Sequence, residues 1–181
     1  MTVERQYKIC VLGNSGVGKT PLVVQFDVGI FIDKYYEPTI EDNYSKQTEV
    51  DGQQYRLDIV DTGGFEGYKS TIDMYARDNQ GFILVYSITD HRSFSDIEDL
   101  IDEIIKCSLK PVPMVIVGMK SDLESEREVD KELGEQLADR FSCSFYEASA
   151  KDDVNITEVF HSLIRLINQS KKSKKGKDKK D

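Results

Sequence analysis

The sequence predicts an α/β fold, in which a mostly parallel six-stranded sheet with one antiparallel edge strand is surrounded by about five helices. Three continuous apolar runs, at residues 9–12, 81–88 and 112–118, are typical of parallel strands that are buried on both faces. Apolar residues recur at helical spacing between these runs. A chain of 181 residues with 39% hydrophobic content is long enough to form one such domain with its own core.

The predicted elements follow one another in a regular order. Strands are expected at residues 7–12, 43–50, 54–61, 81–88, 112–118 and 145–148. The second and third strands flank Asp51-Gly52, a dipeptide typical of a two-residue type I′ hairpin turn, so they form the antiparallel pair. A first helix is expected over residues 21–26. Later helices are indicated by apolar stripes that we expect to face the core: Phe94, Ile97, Ile101, Ile104 and Ile105; Leu133 and Leu137; and Ile156, Val159, Phe160, Leu163, Ile164 and Ile167.

A glycine-rich loop joins the first strand to the first helix. It reads Gly13-Asn14-Ser15-Gly16-Val17-Gly18-Lys19-Thr20 and fits G-x-x-x-x-G-K-[ST], the P-loop motif, in the strand–loop–helix context that the motif requires. Glycines allow backbone N–H groups to point toward phosphate oxygens, and the helix N-terminus adds the positive end of a dipole. Lys19 would reach the β- and γ-phosphates of a nucleotide, and the Thr20 hydroxyl would ligate Mg²⁺. We predict a P-loop NTPase fold, against the alternative of a glycine-rich turn that precedes a Lys-Thr pair by chance.

The net charge of −9 is unevenly distributed along the chain. Residues 171–181 contain seven Lys and two Asp and therefore carry +5, which leaves −14 on residues 1–170. We expect no nucleic-acid partner, because such an acidic body has no basic face to neutralise phosphates. A basic protein partner is favoured instead.

The Lys-rich segment at residues 171–181 contains no apolar residue, and its composition predicts a disordered tail after a domain at residues 1–170. It is either a solvated tail or a polybasic arm that contacts anionic membranes reversibly, since each Lys near such a surface contributes about 1 kcal/mol. No prenylation motif with a C-terminal Cys follows it.

Composition also indicates the compartment. No apolar run approaches the roughly 18 residues that a membrane span needs, and the first residues lack the apolar centre of a signal peptide. The three cysteines, Cys10, Cys107 and Cys143, are widely spaced, which is typical of reduced thiols and implies no zinc site. We expect a cytoplasmic protein, or one that lies peripherally at the inner face of the plasma membrane or an endomembrane.

Four further motifs follow the P-loop: Tyr36-Glu37-Pro38-Thr39-Ile40-Glu41-Asp42-Asn43-Tyr44, Asp61-Thr62-Gly63-Gly64, Gly118-Met119-Lys120-Ser121-Asp122-Leu123 and Ala148-Ser149-Ala150-Lys151. In order, they resemble switch I, the D-x-x-G opening of switch II and the two base-recognition loops of the Ras family of small GTPases. The stretch at residues 80–89 looks closest to the Ras/Rap branch. The similarity runs from about residue 7 to residue 168, so it implies that residues 1–170 form a small GTPase (G) domain.

The resemblance implies a site for GTP or GDP with Mg²⁺. Besides the P-loop, the nucleotide-binding residues would be Phe31, Thr39, Gly64, Lys120, Asp122, Ser149, Ala150 and Lys151. The metal ligands would be Thr20, Thr39 and Asp61, and the catalytic group would be Lys19, Thr39 and Gly64. Thr39 and Gly64 would contact the γ-phosphate, so its loss would release both loops in an order–disorder switch. The alternative is that Thr, Asp and Gly are ordinary turn residues at these positions.

Selection of the base depends on Asp122. Its carboxylate can accept hydrogen bonds from guanine N1–H and the 2-amino group, which adenine cannot donate, and such charge-assisted bonds are roughly twice as strong as neutral ones. By resemblance, the Lys120 stem and Phe31 would enclose the base, and the Ala150 N–H would donate to guanine O6. Phe31 could alternatively be a simple core aromatic.

Two departures from the family pattern affect the expected rates. Met119 stands where the family has an Asn that bonds the base N7 and ties the base loop to the P-loop, so roughly 1.5–3 kcal/mol of nucleotide binding could be lost. Phe65 stands where Ras has the glutamine that orients the attacking water, so intrinsic hydrolysis should be slow. Together these changes predict weak, fast-exchanging nucleotide and a preference for the GTP state.

A smaller departure is Ser15, where Ras has glycine and where a side chain could crowd an incoming arginine finger. One extra residue also lies between Phe31 and Tyr36, and Pro21 is unusual for the family, although proline is tolerated early in a helix.

The expected partner surface surrounds the strand after switch I. Its effector residues would be Tyr36, Ile40, Glu41, Asp42, Asn43 and Tyr44, with Tyr68 and Tyr75 as further aromatic anchors. An exposed acidic edge strand could accept a strand from effector proteins with Ras-binding-type domains, or it could simply be a solvated edge. Exchange factors and GTPase-activating proteins are implied as further partners of a monomer.

Three function classes remain open. The first is a monomeric GTPase that acts as a molecular switch in signal transduction. The second is a pseudo-GTPase, which binds nucleotide and partners without meaningful turnover. The third is another P-loop enzyme, such as a nucleotide kinase or an ATPase.

Overall fold

The computed structural model describes residues 4–32, 39–64, 71–108 and 111–177. Within these ranges it has six strands: β1 Arg5–Leu12, β2 Glu41–Val50, β3 Gln53–Thr62, β4 Gly81–Ser87, β5 Met114–Met119 and β6 Ser144–Ala148. The helices are α1 Lys19–Val28, α2 Ile72–Asp78, α3 His91–Cys107, α4 Lys131–Phe141 and α5 Ile156–Lys177. The predicted α/β class is confirmed, and the strand boundaries lie within two residues of those expected. The sequence pattern indicated no helix at the position of α2.

The strands form one sheet in the order β2-β3-β1-β4-β5-β6. The β2–β3 pair is antiparallel, and the other four pairings are parallel. Asp51 and Gly52 both have positive φ, at 52° and 76°, as a type I′ turn requires. The hairpin predicted from this dipeptide is therefore confirmed, and it makes β2 an edge strand.

Two apolar cores cover the two faces of the sheet. Alternation along β4 places Ile83 and Val85 in the core beneath α1 and α5, and Phe82 and Leu84 in the core beneath α2, α3 and α4. Every residue of β4 and β5 is buried, which explains their uninterrupted apolar sequence. In the first core the rings of Phe26 and Phe160 stack with centroids 3.9 Å apart.

Two residues of the predicted helical stripes do not face the core. Ile105 is 50% exposed and Leu133 is 38% exposed, so the expectation for both is wrong. In α3 the buried apolar residues are Ile97, Leu100, Ile101 and Ile104. Because each residue turns by about 100° around a helix, Ile105 points away from the face that Ile104 buries.

Helix α5 continues to Lys177, so residues 171–177 are helical in the structure, whereas composition predicted disorder from residue 171. Extending a formed helix gains a hydrogen bond for each residue that is fixed, and Lys is a favourable helix former. The Lys171 ammonium also lies 4.1 Å from the centroid of the Tyr7 ring. Residues 178–181 lie outside the described ranges. Among the described helices, none is sufficiently long and apolar to cross a membrane.

Candidate functional site

A cleft of about 310 Å³ lies at the carboxyl ends of the strands, where ligands bind in parallel α/β sheets. The strand register brings the ends of β5 and β6 together, because Met119 pairs with Ala148. The cleft is lined by Gly16, Gly18, Lys19, Thr20, Pro21, Phe31, Ile32, Thr39, Thr62, Gly63, Gly64, Met119, Lys120, Asp122, Leu123, Ala150 and Lys151. It thus collects residues from all the predicted motifs.

The glycines of the P-loop are required by its path. Gly13 and Gly18 have φ of 150° and 111°, in the region that side chains other than glycine rarely adopt. A Cβ atom at Gly13 would lie 2.1 Å from the Val85 carbonyl oxygen, so the loop could not pass β4 with any other residue. The loop leads directly into α1, whose N-terminus opens onto the cleft.

Lys19 lies under this loop and is 6% exposed. Its ammonium donates to the carbonyl oxygens of Gly13 at 3.0 Å and Asn14 at 2.7 Å. Burial lowers the pKa of Lys19 to about 8, while the nearby Asp61 carboxylate acts in the opposite direction. The side chain therefore remains mostly protonated at neutral pH, and an incoming phosphate would offset the desolvation of its charge.

Three oxygen-bearing side chains meet beside Lys19. The Thr20 hydroxyl donates to Asp61 Oδ2 at 2.6 Å and lies 3.0 Å from the Thr39 hydroxyl. Asp61 is fully buried and its Oδ1 has no hydrogen-bond partner. Burial raises the pKa of Asp61 to about 6, against the effects of the Thr20 hydrogen bond and the Lys19 charge, and Asp42 raises it further.

This cluster fits a magnesium ion. Mg²⁺ prefers oxygen ligands and is usually held by one or two carboxylates together with substrate phosphates. An unpartnered buried carboxylate oxygen is costly, and a cation at that position would satisfy it. Thr20, Thr39 and Asp61 are therefore the candidate ligands. In the part of the chain that the structure describes, there is no group of three or more His, Cys, Asp or Glu side chains that could hold a metal.

Gly64 lies directly against the P-loop. A Cβ atom at this position would be 2.8 Å from the Ser15 backbone nitrogen and 2.9 Å from Ser15 Cβ, so only glycine fits without a shift. The neighbouring Gly63 N–H donates to the Ile40 carbonyl oxygen at 2.9 Å, which connects this segment to the start of β2. The predicted switch I and switch II residues that are described here thus converge on the P-loop.

Asp122 and Lys120 lie at the other end of the cleft. The Ser149 hydroxyl donates to Asp122 Oδ1 at 2.6 Å and orients the carboxylate. Lys120 and Ala150 line the cleft, as does Phe31. Phe31 is 36% exposed and belongs to neither core, so the alternative that it is a core aromatic is wrong.

Met119 is 1% exposed and belongs to the core beneath α1 and α5, while it also borders the cleft. A Cβ atom added at Gly18 would lie 3.3 Å from Met119 Cβ and 3.5 Å from Met119 Cε. Its side chain therefore packs against the P-loop. A missing hydrogen bond was expected here from the sequence, whereas this apolar contact was not.

Several predicted nucleotide-binding residues do not line the cleft: Gly13, Asn14, Ser15, Val17 and Ser149. Asn14 is buried, and its amide donates to Asp96 Oδ2 on α3 at 2.7 Å, a contact that no sequence signal indicated. Pro21, Ile32, Thr62, Gly63 and Leu123 line the cleft and were not predicted as site residues, although Thr62 and Gly63 lie inside the D-x-x-G string that located Asp61 and Gly64.

The predicted partner surface is only partly in place. Ile40 is 80% exposed, and Glu41, Asp42 and Asn43 are exposed on the edge strand β2, whereas Tyr44 is half-buried against the core. Tyr75 is 4% exposed and its hydroxyl donates to Glu41 Oε2 at 2.6 Å. Tyr75 is therefore not accessible to a partner, and its expected role as an aromatic anchor is wrong. Tyr36, Phe65 and Tyr68 lie outside the described residues.

A comparison with protein families agrees with this arrangement. The sequence model described as "Ras family" matches residues 8–169, which include the P-loop and all the loops around the cleft.

Proposed function

Because the chain belongs to the Ras family over residues 8–169, we propose that it is a GTP/GDP-dependent molecular switch in signal transduction, nearest to the Ras/Rap branch. Family membership makes it a small GTPase, which in general binds GTP and GDP with Mg²⁺ and hydrolyses GTP to GDP and phosphate.

The contact between Thr20, Thr39 and Asp61 carries the proposal. Thr39 belongs to the predicted switch I loop, yet its hydroxyl lies 3.0 Å from that of the P-loop residue Thr20. Thr20 in turn donates to Asp61 Oδ2, and the other carboxylate oxygen of Asp61 has no hydrogen-bond partner. A Mg²⁺ ion held by these residues would neutralise charge on the phosphate oxygens. A loop that shares its contacts with the phosphate site can respond to the number of phosphates that are bound.

The response of the two loops to the γ-phosphate follows from which phosphate each residue contacts. Lys19 and the P-loop N–H groups bind the β- and γ-phosphates, and Thr39 and Gly64 hold their two loops against the γ-phosphate. When that phosphate is lost, Thr39 and Gly64 lose a partner while Lys19 keeps the β-phosphate. Both loops are then released, and the surface around β2 changes with them.

Guanine specificity comes from Asp122. Since Ser149 donates to Oδ1, the carboxylate is held at the cleft wall and can still accept from the base. Lys120 and Phe31 enclose the base, the Ala150 N–H donates to O6, and Lys151 completes the loop. The same carboxylate would repel adenine, whose edge offers an acceptor at N1.

Rates in this chain differ from those of relatives with the usual residues. Met119 offers the base no hydrogen bond, so nucleotide dissociates faster, and Phe65 cannot orient a water, so intrinsic hydrolysis is slow. A second candidate function is a pseudo-GTPase that binds nucleotide without meaningful turnover. This second candidate is supported by Met119, which is buried and apolar at a position where the family binds the base.

Partners of a switch of this kind are effectors, exchange factors and GTPase-activating proteins. The exposed acidic segment Glu41-Asp42-Asn43 on the edge strand β2 supports docking of a basic effector strand. The lysines near the end of α5 support reversible contact with anionic membranes, from a cytoplasmic pool of monomers.

The test is chromatography of the nucleotide released from freshly purified full-length protein, sampled over time. GTP and GDP should be released without ATP or ADP, and bound GTP should convert slowly to GDP. Asp122→Ala should lose the guanine nucleotide, whereas Asp152→Ala, at an exposed acid in the neighbouring loop, should retain it. Release of adenine nucleotides would contradict the switch, and GTP that never converts would favour the pseudo-GTPase.

A further inference from the structure

Arg127 and Glu147 form a two-pronged ion pair behind the base end of the cleft. Arg127 Nη1 donates to Glu147 Oε1 at 2.6 Å, and Nη2 donates to Oε2 at 2.9 Å. The side chains are only 15% and 12% exposed. A fork-to-fork arginine–carboxylate pair in this setting is strong and sets direction as well as distance.

The arginine is also held from two other sides. Its Nε and Nη2 donate to the two carboxylate oxygens of Glu124 at 2.8 and 2.7 Å, and its Nη1 donates to the Val129 carbonyl oxygen at 2.8 Å. Glu147 is fixed through its backbone, because the Asn155 amide donates to its carbonyl oxygen at 2.7 Å. Neither member of the pair can turn away without breaking several bonds.

The pair joins the two loops that hold the base. Arg127 follows Asp122 by five residues, with the short 3-10 turn Glu124–Glu126 between them. Glu147 precedes Ser149 by two residues at the end of β6. Ser149 in turn donates to Asp122 at 2.6 Å. Residues 122–127, the Arg127–Glu147 pair, residues 147–149 and the Ser149–Asp122 hydrogen bond thus form a closed ring, with Asp122 on its cleft side.

We propose that Arg127 and Glu147 are positioning residues for base recognition, which hold the Asp122 carboxylate at the angle that selects guanine. This inference rests on the proposed function. Neither residue lines the cleft, so they act through Asp122 and Ser149 and not by contact with nucleotide. The role matters here because Met119 ties the base loop to the P-loop only by packing, which constrains direction less than a hydrogen bond does.

Comparison of two nucleotides tests this role in the full-length chain. GDP presents the 2-amino group to Asp122, whereas inosine diphosphate lacks it and is otherwise the same. Dissociation of fluorescent derivatives of both would be measured for the wild type, Arg127→Lys, Glu147→Gln and the double variant. These substitutions retain a polar side chain of similar length but remove the two-pronged charged pair, and unfolding curves would confirm that each variant is folded.

The control is Arg165→Lys. Arg165 also makes a two-pronged pair, with Asp51 at the β2–β3 turn, and this pair is exposed and remote from the cleft. Arg127→Lys and Glu147→Gln should each speed GDP dissociation by about tenfold, with a much smaller effect on inosine diphosphate, so that discrimination between the two falls. The double variant should be little worse than either single variant, because both break the same ring. Arg165→Lys should behave as the wild type.

A purely structural role would speed release of both nucleotides equally and leave their ratio unchanged, and that result overturns the inference while the proposed function stands. If Arg127→Lys does not fold, Glu147→Gln gives the same comparison. If the wild type itself fails to prefer GDP to ADP, the proposed function and this inference fall together.

Discussion

Replacement of Met119 by asparagine tests the central departure of this chain from its family. Met119 ends β5, is 1% exposed and lies against Gly18 of the P-loop. An asparagine there starts from the same Cβ position, so its amide can reach both the base N7 and the P-loop. We expect Met119→Asn to gain roughly 1.5–3 kcal/mol of nucleotide binding. Nucleotide dissociation should therefore slow by about ten- to a hundredfold.

The same substitution should weaken the fold without nucleotide. A fully buried Met side chain contributes about 1.5–3 kcal/mol through the hydrophobic effect, and asparagine would forfeit most of this. The two effects are therefore of similar size and opposite sign, but they appear in different measurements. Stopped-flow release of fluorescent GDP reports the binding gain, and denaturant unfolding of the nucleotide-free protein reports the loss of packing.

Met119→Leu is the matched control, since it keeps an apolar side chain of similar volume and typically costs under about 1.5 kcal/mol. It should leave the dissociation rate near that of the wild type. If Met119→Asn releases GDP as fast as Met119→Leu does, the missing amide does not limit nucleotide retention, and the reasoning from Met119 is refuted.

Three further outcomes are expected. Phe65→Gln should raise the rate of single-turnover GTP hydrolysis by roughly 10²-fold, the usual contribution of a group that aligns or activates a reacting water. An unchanged rate would contradict the proposal that Phe65 makes intrinsic hydrolysis slow. Gly134→Ala should destabilise the protein by about 1–3 kcal/mol in thermal unfolding, although alanine favours helices. The alanine Cβ would lie 2.4 Å from the Phe145 ring and 2.7 Å from the Tyr86 hydroxyl. A stabilised variant would refute this packing. Burial, and secondarily the charge of Arg165, lower the pKa of His161 below its ordinary 6.5. As the pH falls, His161 is therefore protonated in the unfolded chain before it is protonated in the folded protein. The free energy of unfolding should then decrease as the pH drops below about 6.5. His161→Gln should reduce that pH dependence in urea unfolding, and an equally steep profile would contradict it.

The P-loop at one end of the cleft could be predicted because its information is local. Gly13, Gly18 and Lys19 are close in sequence, and the steric and hydrogen-bonding demands of a phosphate determine their order along the chain. The Asp51-Gly52 turn is equally local, since two residues with positive φ determine the register of the whole hairpin. Long apolar runs similarly identify β4 and β5 without reference to the rest of the fold.

The long-range contacts around the cleft could not be found in this way. Arg127 and Glu147 are 20 residues apart and look like ordinary surface charges in the sequence. Asn14 and Asp96 are 82 residues apart, and Tyr75 and Glu41 are 34 apart. A charge or an aromatic ring indicates what a residue can bond, but its partner depends on which elements the sheet brings side by side.

The sequence by itself determined the class of fold and the phosphate loop, because each depends on residue types at short, fixed spacings. The candidate metal and base residues came from the resemblance of its later motifs to those of the Ras family. Only the tertiary structure decided that Met119 packs on the P-loop, that Tyr75 is buried with its hydroxyl bonded to Glu41, and that an ion pair closes a ring behind Asp122. These are long-range contacts, and the strand order and the relative positions of the packed helices determine them.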